Sequence, residues 1–101
     1  MNELKIIRQL PKRDLYEALA EESAELSQAA LKCIRAEKLN KNVTPKTEQE
    51  ALDNLKEELL DVAVCVFIMG IPLPSEKDIL SNFKLNRWAS RLKEEFKTGG
   101  E

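Results

Sequence analysis

Four carboxylates carry the chemistry that this sequence can offer. Glu58 stands in the stretch EELLDVAVCV, which has the pattern of one helix. With Glu58 at the origin of a helical wheel, Ala51, Leu55, Val62, Cys65 and Met69 fall within about 60° of it. An acid therefore occupies the centre of an apolar stripe, and Asp61 lies one turn on, about 60° to one side. An earlier helix repeats the device. Leu15, Leu19, Leu26, Ala29 and Cys33 surround Glu22, and Glu25 follows at i+3 on the same side.

The energetics make two such placements informative. A buried carboxylate costs several kcal/mol unless it is paired, protonated or bound to a metal. Four acids facing one another also repel and raise each other's pKa. A divalent cation removes both penalties, and the i, i+3 spacing brings two carboxylates of one helix within reach of one ion. The sequence contains no histidine, which excludes Ser-His-Asp triads, Cys2His2 zinc sites and the Glu-x-x-His pairs of di-iron bundles. An all-oxygen site suits Mg²⁺, Mn²⁺ or Ca²⁺. Glu-x-x-Glu or Glu-x-x-Asp alone is usually a solvated face. The matched placement on two apolar stripes is what raises the metal reading. Glu17, Glu21, Asp53 and Glu57 fall off the stripes and read as solvated.

The elements that must position these acids are helices. Charged residues make up 34% of the 101-residue chain and aromatics 5%, a balance that favours helix over strand and fits one domain spanning 1–101. Residues 1–10 form an amphipathic lead-in, and Pro11 suits the first turn of a helix running from Lys12 to about Leu39. NKNVTPK, Asn40 to Lys46, is a loop. The next helix starts either at Thr44, with Pro45 in its first position, or at the box Thr47-x-x-Glu50. It runs to about Met69, where Gly70, Pro72 and Pro74 end it. Ser75-x-x-Asp78 opens a last helix to about Phe96, with a frayed tail over 97–101. A bend near Val66 to Gly70 would make four or five helical pieces. Cys33 and Cys65 read as small core residues. VAVCVFIMGI is about half the length of a membrane span, and the N-terminus lacks the apolar run of a signal peptide. These features imply a cytoplasmic protein without membrane contact. The net charge of -2 leaves no basic footprint for nucleic acid.

These residues resemble the MazG-like, all-α nucleoside triphosphate pyrophosphohydrolases. That family carries an ExxE pair on one helix and an ExxD pair on the next. Here EESAEL supplies Glu22 and Glu25, and EELLDV supplies Glu58 and Asp61. LAEESAELSQAALK is similar to the family's first metal helix, and NFKLNRWASRL to its later basic helix. The resemblance covers about residues 12–92. Two features depart from it: the interval between the pairs is longer than in compact members, and Leu26 stands where the family has a further acid.

The resemblance implies an all-α helix bundle of the NTP pyrophosphatase type, assembled as a homodimer or homotetramer. It implies a reaction in which a (d)NTP and water give a (d)NMP and pyrophosphate. Glu22, Glu25, Glu58 and Asp61 would hold Mg²⁺, or Mn²⁺, against the triphosphate. Glu25 and Glu58 are the catalytic candidates, with Glu25 as general base. Lys84 and Arg87 match the family's basic positions and equally suit a solvated basic face, and Lys32 and Lys41 are weaker candidates. Asn54, about 40° from Glu58 one turn back, would orient a phosphate or water, and Trp88 reads first as a core or dimer contact and otherwise as a residue stacked on a base. Independently of the family, helices of about thirty residues reach about 40 Å. A single small subunit covers such lengths poorly, so helices from two subunits are expected to share a core. The rival readings are a non-catalytic helical dimerisation or interaction module and a Ca²⁺-binding structural bundle. The latter lacks an EF-hand loop.

Overall fold

Helix boundaries follow local chemistry at almost every end. A computed structural model describes residues 2–39 and 46–99, with side chains described through Lys97. The elements are α1 (Glu3–Ile7), α2 (Lys12–Ala36), α3 (Glu48–Ile68), α4 (Glu76–Leu80) and α5 (Phe83–Gly99). No strand occurs among the described residues. The expected loop, except for Lys46, the expected start at Thr44–Pro45 and the cation Lys41 lie outside them. Thr47 is the N-cap of α3, and its side chain accepts from the Glu50 N–H, as the second of the two expected starts requires. Pro11 precedes α2 as its N-cap residue rather than sitting in the first turn.

Both long helices end alike. After α2, Lys38 takes a left-handed φ of 59°, its N–H donates to Arg35 O, and the Leu39 N–H donates to Ile34 O. After α3, Gly70 takes φ 77°, with Gly70 N–H to Phe67 O and Ile71 N–H to Val66 O. Each is a Schellman closure that satisfies the orphan carbonyls of the last turn. The first stops α2 at Ala36, short of the expected Leu39.

The expected helix from Ser75 to Phe96 is two helices. Ser75 and Asp78 form the full capping box of α4, but the chain breaks at Ser81–Asn82. The Ser81 hydroxyl donates to the Lys77 carbonyl at 2.8 Å. Asn82 Oδ1 accepts the Lys84 N–H at 2.8 Å. These short polar side chains offer the backbone partners that compete with a continuous helix. Five helical pieces result among the described residues, with the break here and not near Val66.

α2 and α3 form the closely packed pair, an antiparallel hairpin in which Ala29 and Ala51 are the most enclosed residues (1% and 0% exposed). Small side chains at the contact let the backbones approach. The Cys33 thiol donates to the Ala51 carbonyl of the facing helix at 3.4 Å. α1 is tied to the far end of α3. Arg8 donates from Nε to Ile68 O (2.9 Å) and from Nη2 to Phe67 O (3.1 Å), and lies 5.8 Å from the Phe67 ring centroid. These carbonyls close the negative end of the α3 dipole. Arg8→Ala is expected to cost about 1 kcal/mol and to speed proteolysis between α1 and α2. Arg8→Lys should recover little, since an ammonium cannot fork to both carbonyls.

Beyond the hairpin little is covered. Every described residue from Gly70 to Lys97 is exposed, including Trp88 and Phe96 at 59% and 71%. The Cα radius of gyration is 18.2 Å, against about 13 Å for a compact chain of this length. Within VAVCVFIMGI, Val64, Phe67 and Ile71 face outward. No helix among the described residues is long and apolar enough to cross a membrane.

Candidate metal centre

The α2–α3 hairpin brings Glu22 together with Glu58 and Asp61. One carboxylate oxygen from each lies within 4.8 Å of the others. Antiparallel packing does this: the register that sets Cys33 against Ala51 also sets Glu22 opposite the Glu58–Asp61 turn. Glu22 and Glu58 are half-buried and Asp61 is exposed. Glu22 Oε2 and Glu58 Oε2 are themselves buried and have no hydrogen-bond partner. Such atoms are rare in folded proteins and call for a physical explanation.

Glu25 is exposed and is not one of the three that converge. It stands beside the cluster, where its carboxylate loads both Glu22 and Glu58 with like charge and shares a side-chain hydrogen bond with each. Burial first, then Glu25 and Asp61, pushes the carboxyls of Glu22 and Glu58 above their ordinary range. The exposed Glu57 adds to the charge felt by Glu58. Cys65 was expected only as a core residue. It is half-buried, and its thiol is raised by burial and then by the charges of Glu22 and Asp61. The thiol is a neighbour of the acids. Its place in the apolar stripe one turn beyond Asp61 was the available signal.

A pH dependence follows. Glu22 and Glu58 hold protons more tightly folded than unfolded, so they favour the fold fully below the ordinary carboxylate pKa and less as pH rises through their raised values. The metal-free protein should therefore melt at a lower temperature at neutral than at mildly acidic pH. Glu58→Gln should flatten that slope in a thermal scan in EDTA. Asp78 works oppositely. Its backbone and side-chain hydrogen bonds with Ser75 lower its pKa, so the α4 cap weakens on acidification.

The other expected site residues are distributed as follows. Asn54 is half-buried on α3, one turn before Glu58. Lys32 is half-buried on α2, two turns beyond Glu25. Lys84, Arg87 and Trp88 stand on α5, exposed, so a single chain does not pack them against the acid hairpin. Oxygen-only donors, two orphaned buried oxygens and mutual distances under 5 Å fit a hard divalent cation. No protein-family model, curated protein or solved structure matches the chain.

Proposed function

We propose that the protein is a Mg²⁺-dependent nucleoside triphosphate pyrophosphohydrolase of the MazG-like all-α type. The observation that carries this reading is the pair of buried, unpartnered oxygens of Glu22 and Glu58, converging with Asp61 across the hairpin. Packed apolar side chains would be cheaper there unless a cation is part of the working state.

Glu22, Glu58 and Asp61 would hold the ion, with Glu25 at the margin as a fourth ligand. When bound, Mg²⁺ supplies charge neutralisation on the phosphates and an activated water. Glu25, exposed beside the cluster, takes the proton of the attacking water at its carboxylate. The water oxygen bonds to the α-phosphorus, the bond from that phosphorus to the β-bridging oxygen breaks, and pyrophosphate leaves. Asn54 orients a phosphate oxygen or the water from the next turn. Glu58, whose oxygen is buried, keeps the reacting groups in register.

The working form is a homodimer or homotetramer. The extended shape, the uncovered apolar residues of α3 and the wholly exposed α5 support this. The same surfaces favour a second reading, a non-catalytic dimerisation module. Incubation with a panel of canonical and modified NTPs and dNTPs, scored for pyrophosphate against orthophosphate, separates the two. Mg²⁺-dependent pyrophosphate release supports the hydrolase. Its absence from every substrate, with helicity intact, leaves the module.

A further inference from the structure

α3 carries a second apolar stripe, on the face turned away from Glu58. Leu60, Val64 and Phe67 fall within about 60° of one another around the axis, and they are 63%, 46% and 54% exposed. The stripe runs into a hollow of about 350 Å³, where Phe67, Ile71, Pro72 and Leu73 meet Arg8 and Gly70. Glu57 and Asp61, both exposed, make one edge of the stripe acidic. α5 has a surface of the opposite kind. Leu85, Trp88, Leu92 and Phe96 form an apolar stripe about 80° wide, and Lys84, Arg87 and Arg91 line one edge of it. Every described side chain of α5 is exposed, so the chain's own α3 does not cover it.

Handedness decides how two such stripes can meet. Looking down each helix from its N-terminus, the acidic edge of α3 lies on the side toward which the chain turns, and the basic edge of α5 lies on the other side. Parallel helices placed face to face bring these two edges together. Antiparallel helices would set Lys84, Arg87 and Arg91 against Lys56, and like charges there are penalised. The register also agrees. Arg87 and Lys84 stand nine and twelve residues before Phe96, and Asp61 and Glu57 stand nine and thirteen before Gly70 in the lining of the hollow. With the Phe96 ring in that hollow, Lys84 and Arg87 lie level with Glu57 and Asp61. Two such contacts across a twofold axis bury on the order of 1,500 Å², the size of a specific interface.

We infer that the outer face of α3 is the docking surface for α5 of a second copy of this chain, parallel to α3, with the Lys84–Arg87 edge on Glu57 and Asp61 and Phe96 in the hollow beyond Phe67. Each copy gives its α5 to the other. The inference rests on the dimeric state proposed above and not on metal binding or hydrolysis, so self-association and pyrophosphate release fail independently.

Charge exchange tests the pairing, read by sedimentation of the full chain over a range of concentrations, with helicity checked by circular dichroism. Glu57→Arg and Arg87→Glu should each raise the dimer dissociation constant about tenfold or more, and added salt should weaken the wild-type dimer. An equimolar mixture of the two single variants should recover the dimer, because both contacts then join opposite charges again. The double variant Glu57→Arg/Arg87→Glu should recover it alone. Trp88 is the only tryptophan in the chain and is 59% exposed, so wild-type emission should move to shorter wavelength as the dimer forms. Three results overturn the inference: a chain that is monomeric at every concentration, self-association unchanged in both single variants, or recovery in the double variant but not in the mixture. The last would seat α5 on the α3 of its own chain.

Discussion

Glu58→Gln is expected to reduce Mg²⁺-dependent pyrophosphate release by about a hundredfold or more, since even loss of an outer-shell partner of a metal site costs about 10–100-fold. The same substitution should leave the metal-free fold intact and raise its melting temperature at neutral pH. These opposite effects share one cause. Glu58 is half-buried among Glu22, Glu25 and Asp61, so without a cation its charge opposes folding, and on the proposed reading a bound cation takes it as a ligand. Wild type should also gain stability from Mg²⁺. At a hundred times the dissociation constant the gain is about 2.7 kcal/mol, several degrees of melting temperature for a chain of this size. The variant should gain little. A side chain that merely solvates one helix face would alter neither activity nor the Mg²⁺ response.

Ala51→Leu should act from a distance on the same property. Ala51 is fully enclosed where α3 meets α2, and its carbonyl receives the Cys33 thiol. Added methylenes there have no space, and overpacking of this kind costs about 1–3 kcal/mol. Separating the helices also moves Glu22 away from Glu58 and Asp61, which converge only because the backbones are close. The expected result is a lower melting temperature together with a reduced Mg²⁺-induced shift. Ala30→Leu, at an exposed position on α2, is the control and should stay within about 0.5 kcal/mol of wild type. Retention of the full Mg²⁺ shift in Ala51→Leu would show that close approach of the helices does not build the site.

The long helices and the facing of their acids were legible because each rests on a regular signal. The apolar stripes through Glu22 and Glu58 have the helical period, and two stripes of that width must meet. Thr47, Gly70 and the Ser75–Asp78 box marked ends by their own chemistry. Lys38 did not, because a non-glycine residue in the left-handed region carries no compositional mark. The break at Ser81–Asn82 was missed for a related reason. Leu80-Ser81-Asn82-Phe83 contains no Gly or Pro, and only hydrogen bonds to Lys77 and Lys84 reveal that the helix restarts there. The close approach of Cys65 to the acids, and the lack of cover for α5, depend on inter-helix packing that periodicity alone does not encode.

The most direct test of the account is a Mn²⁺ titration followed by electron paramagnetic resonance, on wild type and on Glu22→Gln, Glu58→Gln and Asp61→Asn. Mn²⁺ stands in for Mg²⁺ as a hard, oxygen-seeking ion. Saturable binding to wild type is expected, tightened by a non-hydrolysable nucleoside triphosphate and weakened in all three variants. Binding equal in wild type and variants, or no saturable binding with the nucleotide present, would contradict it.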